Sequence, residues 1–329
     1  MDTIHTNEST IQTIFESDDT IKDLKDIEKL SKNISNQSVK EGTNNRVLIR
    51  LLRISEDQMS IEAPLYATNP YVEAFFFSKN QVLSPLLLEY DLKRIFIGDL
   101  EKNSTYQDFK RYLVEYTSTP EFKQKVRLNR KSERKREVSA ENYIEAFRQK
   151  YARLTVVRVD LYLTLDTDRI NYTRNLLRDM MYFWSHLRRD LNECKAIPNP
   201  EGFIASIEHG HIRGFHFHLM LLFDGSKHQR DIYIAKTIGE HWKHKITNGR
   251  GAYHNCNATG PGGYKYYGIG RLDYCDELKF NILKYTAYYL TKTDSSLQAV
   301  IGNQRTFFRG IMPKQKSGRG RVRKKFMND

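Results

Sequence analysis

Cysteine is scarce in this 329-residue chain, and the three present, Cys194, Cys256 and Cys275, form no CxxC pair and no even-numbered set. A disulfide framework of the kind that staples small secreted domains is excluded, and a reducing, cytoplasmic compartment is the expectation. Long apolar runs are missing too: none approaches the roughly 18 residues that a membrane span requires. Where a secretory signal would be basic and then apolar, the chain carries Asp2, Glu8, Glu16, Asp18 and Asp19, so a soluble, unexported protein with no membrane partner is expected. There is no internal repeat with a period of about 20–50 residues, which sets aside solenoids and propellers.

Negative charge is in deficit. The chain holds 53 Lys and Arg against 40 Asp and Glu, a formal net charge of +13. Such a surplus reads either as the footprint of a phosphate backbone or as a solvated basic surface, and charge alone names no activity. The hydrophobic content of 39% suffices for a packed core in one large domain or two ordinary ones.

The composition divides the chain. Residues 1–45 are polar, with 9 acidic and 5 basic residues, and read as a flexible arm holding at most a short helix. Residues 46–145 read as a mainly helical accessory region, although the first apolar cluster (Val47, Leu48, Ile49, Leu51, Leu52) fits a strand as well. Within it, Lys123 to Glu137 has 8 basic and 2 acidic residues: Lys123, Lys125, Arg127, Arg130, Lys131, Arg134, Lys135 and Arg136 against Glu133 and Glu137. This run is a linker or an exposed helix, and a candidate grip on a nucleic-acid backbone.

Residues 146–300 alternate strand and helix patterns. Leu154 to Leu165 is β-branched and alternating, Asn171 to Cys194 is amphipathic at helical spacing, and Gly202 to Glu208 with Phe215 to Phe223 reads as a hairpin. A helix is expected near Asp231 and another over Lys279 to Lys292, whereas 247–271, rich in Gly, Asn and Tyr, is expected to be mostly loop. Residues 301–329 read as a basic tail: from Lys314 to Lys325 there are 7 basic residues and no acidic one, including Arg319, Arg321, Arg323 and Lys324, further candidates for DNA contact.

Two patterns carry chemistry. In FHFHLMLLF, His216 and His218 stand at i and i+2 of a strand, so both imidazoles point to one face. Glu208 closes the preceding strand, and a hairpin can bring its carboxylate to the same end of the sheet. Two imidazoles and a carboxylate with open positions suit Mg, Mn or Zn. Taken alone, a His-apolar-His strand is more often a core or surface pair; His209 and His211, in the expected turn, are weaker ligand candidates. In KYTAYYLTK, Tyr285, Tyr289 and Lys292 stand at i, i+4 and i+7 on one helical face, with Tyr288 beside it. In a chain with 20 tyrosines such a helix is ordinarily packing; a nucleophilic reading needs the phenol activated by a polarised phosphate and a cation, which Lys292 is placed to supply.

Together, IEHGHIRGFHFHLMLLF and KYTAYYLTKTD, in that order and in strand and helix contexts, resemble the HUH rolling-circle initiators. Residues 150–300 are similar to the inovirus gene-two replication proteins and the YagK/YfjJ C-terminal domain. The resemblance implies an α+β fold with a five-stranded antiparallel sheet and flanking helices. It further implies Mg or Mn on His216, His218 and Glu208, nucleophilic Tyr285 and Tyr289, and an assisting Lys292. The activity implied is nicking and joining of single-stranded DNA through a phosphotyrosine, to start replication of a phage or phage-like element. Single-stranded or supercoiled origin DNA would be the substrate, with a host helicase and polymerase as further partners. One departure stands out: Tyr288 lies where two-tyrosine initiators of small isometric phages carry lysine. The competing classes are a non-catalytic DNA-binding regulator, a single-tyrosine relaxase or transposase, and a structural zinc protein pairing His216 and His218 with Cys256 or Cys275.

Overall fold

The computed structural model describes residues 25–36, 45–54, 69–83, 103–164, 172–210, 214–261, 267–291 and 305–314. These fall into two compact units, 1–132 with 293–304 and 133–292 with 305–329.

Among the described residues the first unit is helical: α1 (25–35), α2 (Asn45–Arg53), α3 (Pro70–Val82), α4 (Ser104–Ser118) and the start of α5 (Pro120–Lys150). The apolar cluster at 47–52 is thus helix, burying Leu48, Ile49, Leu51 and Leu52 along one face, a spacing that strand alternation cannot produce. Starts are fixed by side-chain caps. Asn69 accepts from the N–H groups of Tyr71 and Val72 with Pro70 at the first helical position, and Asn103 accepts from Tyr106 N–H. Phe75 meets Phe109 edge-on at 5.4 Å where α3 packs on α4.

The second unit is built on an antiparallel sheet of β1 (Arg153–Leu163), β2 (Gly202–Gly210), β3 (Gly214–Asp224), β4 (Gly251–Asn255), β5 (Gly270–Asp273) and β6 (Phe307–Arg309). The order is β4-β1-β3-β2-β6, with β5 also paired to β1. The expectation of five strands is corrected to six occupying five positions. β4 pairs residues 159–163 of β1 and β5 pairs 153–156, so both share one edge. The bridge between them is Asn257, whose Nδ2 donates to the Val156 carbonyl and whose Oδ1 accepts from Arg158 N–H. The stretch 247–271 therefore contains two strands and a one-turn helix, Cys256–Thr259, rather than loop alone. Their shortness left no periodicity to read. β6 is likewise a three-residue edge strand inside the expected basic tail, recruited by pairing with Ile204–Ser206 of β2.

Helices cover both faces. On one, α6 (Tyr172–Glu193) lays Trp184 against Phe217 at 4.9 Å and edge-on to Phe203 at 5.7 Å. On the other, Tyr143, Ile144 and Phe147 of α5 and Phe280, Leu283, Ala287 and Leu290 of α9 (Glu277–Thr291) share a buried cluster with Leu154, Val156, Ile204, Met220 and Leu222. Burial of Phe280, Leu283 and Leu290, at roughly 1.5–3 kcal/mol for each side chain, pins α9 to the sheet. Gly268 lets the helix come close, since a Cβ there would stand 2.4 Å from Leu283 Cα. The remaining helices are α7 (Asp231–His241), which runs into a π-turn, Trp242–Ile246, and packs on β1 and β4, and α8, the one-turn helix at Cys256–Thr259.

Candidate metal and tyrosine site

The sheet face beneath α5 and α9 is apolar at one end and polar at the other. Along β1, Leu154 and Val156 belong to the buried cluster, and the next same-face residues are Arg158 and Asp160. Strand register brings the polar ends together: Asp160 stands opposite His218, and Glu208 opposite His216. Arg158, Asp160, His216 and His218 are all buried.

The hairpin delivers the expected ligand set to one point. His216 Nε2 lies 3.2 Å from His218 Nε2, which lies 3.2 Å from Glu208 Oε2. One donor atom from each of the three residues falls within 4.8 Å of the others. The donor chemistry fits a divalent ion: two imidazole nitrogens and a carboxylate converge, leaving positions for water or substrate oxygens.

Asp160 completes the arrangement from behind. Its Oδ1 is 2.7 Å from His218 Nδ1, which assigns that nitrogen as the N–H donor and leaves Nε2 aimed at the ligand cluster. Arg158 Nη2 also lies 3.2 Å from Nδ1, but a protonated Nδ1 cannot accept from it; the longer contact of Arg158 Nε to Asp160 Oδ1, 3.5 Å, is the favourable one. Burial opposes protonation of His218, yet hydrogen bonds to Asp160 and Glu208 outweigh it and push its pKa up to about 9. For Asp160 burial acts upward, and the hydrogen bond and charge of His218, with Arg158 beyond, hold the carboxyl well below the usual carboxylate range.

The tyrosine helix crosses this polar end. The Tyr289 ring centroid is 6.2 Å from that of His218, and the Arg158 guanidinium carbon is 6.0 Å from the Tyr289 ring. Tyr289 is half exposed, open to a substrate from outside. Tyr285 and Tyr288 instead line a cleft of about 550 Å³ between α5 and α9, with Arg134, Glu137, Ala140, Glu141, Asn281 and Lys284. A hydrogen bond to Glu137 is the main reason the Tyr288 phenol titrates above its ordinary range.

Other expected residues distribute as follows. The basic run 123–137 lies within α5, with Lys123, Lys125, Arg127, Arg130, Lys131, Arg134 and Lys135 exposed; Lys125 pairs with Glu73 at 2.7 Å and Arg134 with Glu137 at 2.8 Å. Arg136 turns inward and donates from Nε to the Thr291 carbonyl at the C-terminal end of α9, where a cation is favoured. His209 belongs to β2 rather than to the turn, opposite Phe215. Lys292, His211, Arg319, Arg321, Arg323 and Lys324 lie outside the described residues. Among the described residues neither group of metal-ligand type includes Cys256 or Cys275; Cys256 is buried in the apolar cluster and Cys275 is exposed.

Arg158 and Asp160 were not singled out by sequence reasoning. The signal was present: two charged residues at i and i+2 in VVRVDLYL share a face in a segment whose other residues are apolar or aromatic.

An α+β protein with a six-stranded antiparallel sheet, bearing a His-His-Glu cluster under a tyrosine helix, is thus the class defined. The YagK/YfjJ C-terminal domain family matches residues 117–307, more than half of the chain, and the protein belongs to that family. Neither a curated protein nor a solved structure matches it. Among the described residues no helix is long and apolar enough to cross a membrane.

Proposed function

We propose that this protein is a metal-dependent endonuclease and strand transferase of the HUH type, which nicks single-stranded DNA to start rolling-circle replication of a phage or phage-like element. The observation that carries the reading is the meeting of Glu208, His216 and His218 at one point with the Tyr289 ring 6.2 Å from His218.

A bound Mg or Mn ion supplies Lewis-acid polarisation of the scissile phosphate. Glu208, His216 and His218 would hold it, with Asp160 fixing the His218 ring and its tautomer. Arg158 places its guanidinium carbon 6.0 Å from the Tyr289 ring, a fixed positive charge close to the attacking residue. The Tyr289 oxygen attacks phosphorus and forms an O–P bond as the bond from phosphorus to the 3′-oxygen breaks. The phenolic proton passes to solvent, and the departing oxygen takes one up to leave a free 3′-OH. The 5′-phosphotyrosyl link retains the energy of the broken phosphodiester, so attack by a 3′-OH rejoins strands without ATP. Exposed cations of α5 offer contacts to strand phosphates.

The placement of Tyr285 in the α5–α9 cleft, apart from the contact that Tyr289 makes, favours a second reading in which Tyr289 alone forms adducts, as in single-tyrosine relaxases and transposases. Incubation with single-stranded DNA labelled at its 3′ end, in Mn, followed by a denaturing gel tests both. A labelled protein band that disappears in Tyr289→Phe supports the nuclease; no adduct on any single-stranded substrate from the cognate element leaves a DNA-binding regulator as the better account.

A further inference from the structure

Across the sheet from the His-His-Glu cluster, a second set of ligand-type side chains converges. Asp190 lies in the last turn of α6, Cys194 follows one turn on, and His241 ends α7 where the chain enters the π-turn. One donor atom from each falls within 4.8 Å of the others. His241 is buried, and its Nε2 is 2.8 Å from Asp190 Oδ2; Cys194 is half-buried and forms no disulfide.

We propose that Asp190, Cys194 and His241 bind a transition-metal ion of the zinc class, independent of the Glu208–His216–His218 cluster. Carboxylate, thiolate and imidazole are the ligand types that zinc accepts, whereas Mg and Mn do not favour sulfur. Bond lengths of about 2.0–2.3 Å at tetrahedral angles place donor atoms roughly 3.3–3.7 Å apart. The three donors reach that spacing by side-chain rotation, the Asp190–His241 contact opening by about half an ångström. Asp190 and Cys194 sit one helical turn apart, so both address one point. The C-terminal end of α6, with its outward carbonyls, adds negative potential that favours a cation there.

The charges balance as well: a carboxylate and a thiolate neutralise a divalent ion. The thiol proton leaves to solvent on binding. Asp190 retains about a fifth of its side-chain exposure, which gives an entry path and room for water as a fourth ligand. Arg189, with Nε 3.6 Å from Asp190 Oδ1 and more than half exposed, can swing to solvent as the ion enters. The ion ties the end of α6 to the junction of α7 and the π-turn. Nicking does not require it.

Cobalt distinguishes this site from the other, because only a thiolate ligand gives a sulfur-to-cobalt charge-transfer band. Metal-stripped full-length protein titrated with Co²⁺ should develop that band. His216→Ala with His218→Ala should keep it, as should Cys256→Ser and Cys275→Ser, while Cys194→Ser and His241→Asn should each lose it. No band in the unmodified chain, or a band that survives Cys194→Ser, overturns the proposal. A measurement free of variants guards against misfolding: Zn²⁺ should slow alkylation of Cys194 at least tenfold while leaving the exposed Cys275 unchanged, and equal Cys194 rates with and without zinc overturn the proposal. Neither experiment involves DNA, so its outcome is separate from that of the nuclease reading.

Discussion

Asp160 and His218 face each other across β1 and β3, carboxylate oxygen to Nδ1 at 2.7 Å, with both side chains buried. The pair converts His218 from an imidazole that could turn either nitrogen to the site into one that offers Nε2. Asp160→Asn keeps the shape and removes the charge. Metal affinity should fall by about 10- to 100-fold, the usual effect of removing an outer-shell carboxylate, and isothermal titration with Mn²⁺ will read it. An unchanged affinity would leave Asp160 a merely structural partner.

The same pair sets the pH dependence of the metal-free protein. His218 has a folded-state pKa of about 9, above its ordinary 6.5, so its contribution to stability is complete below about pH 6.5 and is lost as pH rises toward 9. Asp160 is depressed, so its contribution is present above the ordinary carboxylate range and lost on acidification. Thermal unfolding in chelator should give its highest midpoint between about pH 4.5 and 6.5, and a fall of a few degrees by pH 9. Saturating Mn²⁺ should reverse the alkaline slope, since the ion requires His218 to give up its Nε2 proton.

Tyr289 and Tyr285 should separate in single-turnover assays. Tyr289→Phe keeps the ring against His218 and removes the oxygen, so cleavage should drop at least about a hundredfold. Tyr285→Phe should retain cleavage and show any defect in strand transfer, and Tyr288→Phe should remain near wild type. Mass spectrometry of the trapped peptide assigns the adduct; finding it on Tyr285 alone would make that residue the nucleophile and Tyr289 its neighbour.

Gly268→Ala tests how α9 is held. The new methyl meets the backbone of Leu283, which cannot rotate away, so the helix must shift. Overpacking of this kind costs about 1–3 kcal/mol, measurable as a lower urea midpoint. Because Tyr289 rides on the same helix, nicking should fall more than stability accounts for, and an unaltered rate would show that α9 need not be held so closely.

Replacing Arg127, Arg130 and Lys131 together by Gln should weaken binding to all single strands alike. The slope of log affinity against log salt should flatten by about 0.7 for each phosphate that the helix ceases to neutralise. A slope equal to that of the parent would make this part of α5 a solvated surface.

What the sequence made legible was whatever repeats over many residues. β1, α6, the β2–β3 hairpin and α9 were each readable from period alone, and the two histidines followed from alternation on β3. The unread parts depend on partners distant in sequence. β4, β5 and β6 are 3–5 residues long and exist because longer strands offer them an edge. The role of Asp160 required the register of β1 on β3, which no local pattern encodes. The separation of Tyr289 from Tyr285 needed the position of α5, since helical spacing alone placed both on one face.

Core and cluster occupy opposite ends of one sheet face, and the residues that would carry the chemistry, Glu208 and Tyr289, are the more exposed members, outside the packed cluster. Inactivation and unfolding are consequently separable events in the history of such a chain. A descendant selected for folding alone can lose the half-exposed Tyr289 phenol at little thermodynamic penalty and persist as a well-folded protein with its basic helix intact. Copies under selection for folding alone are then expected to change at 289 well before Met220 or Leu283.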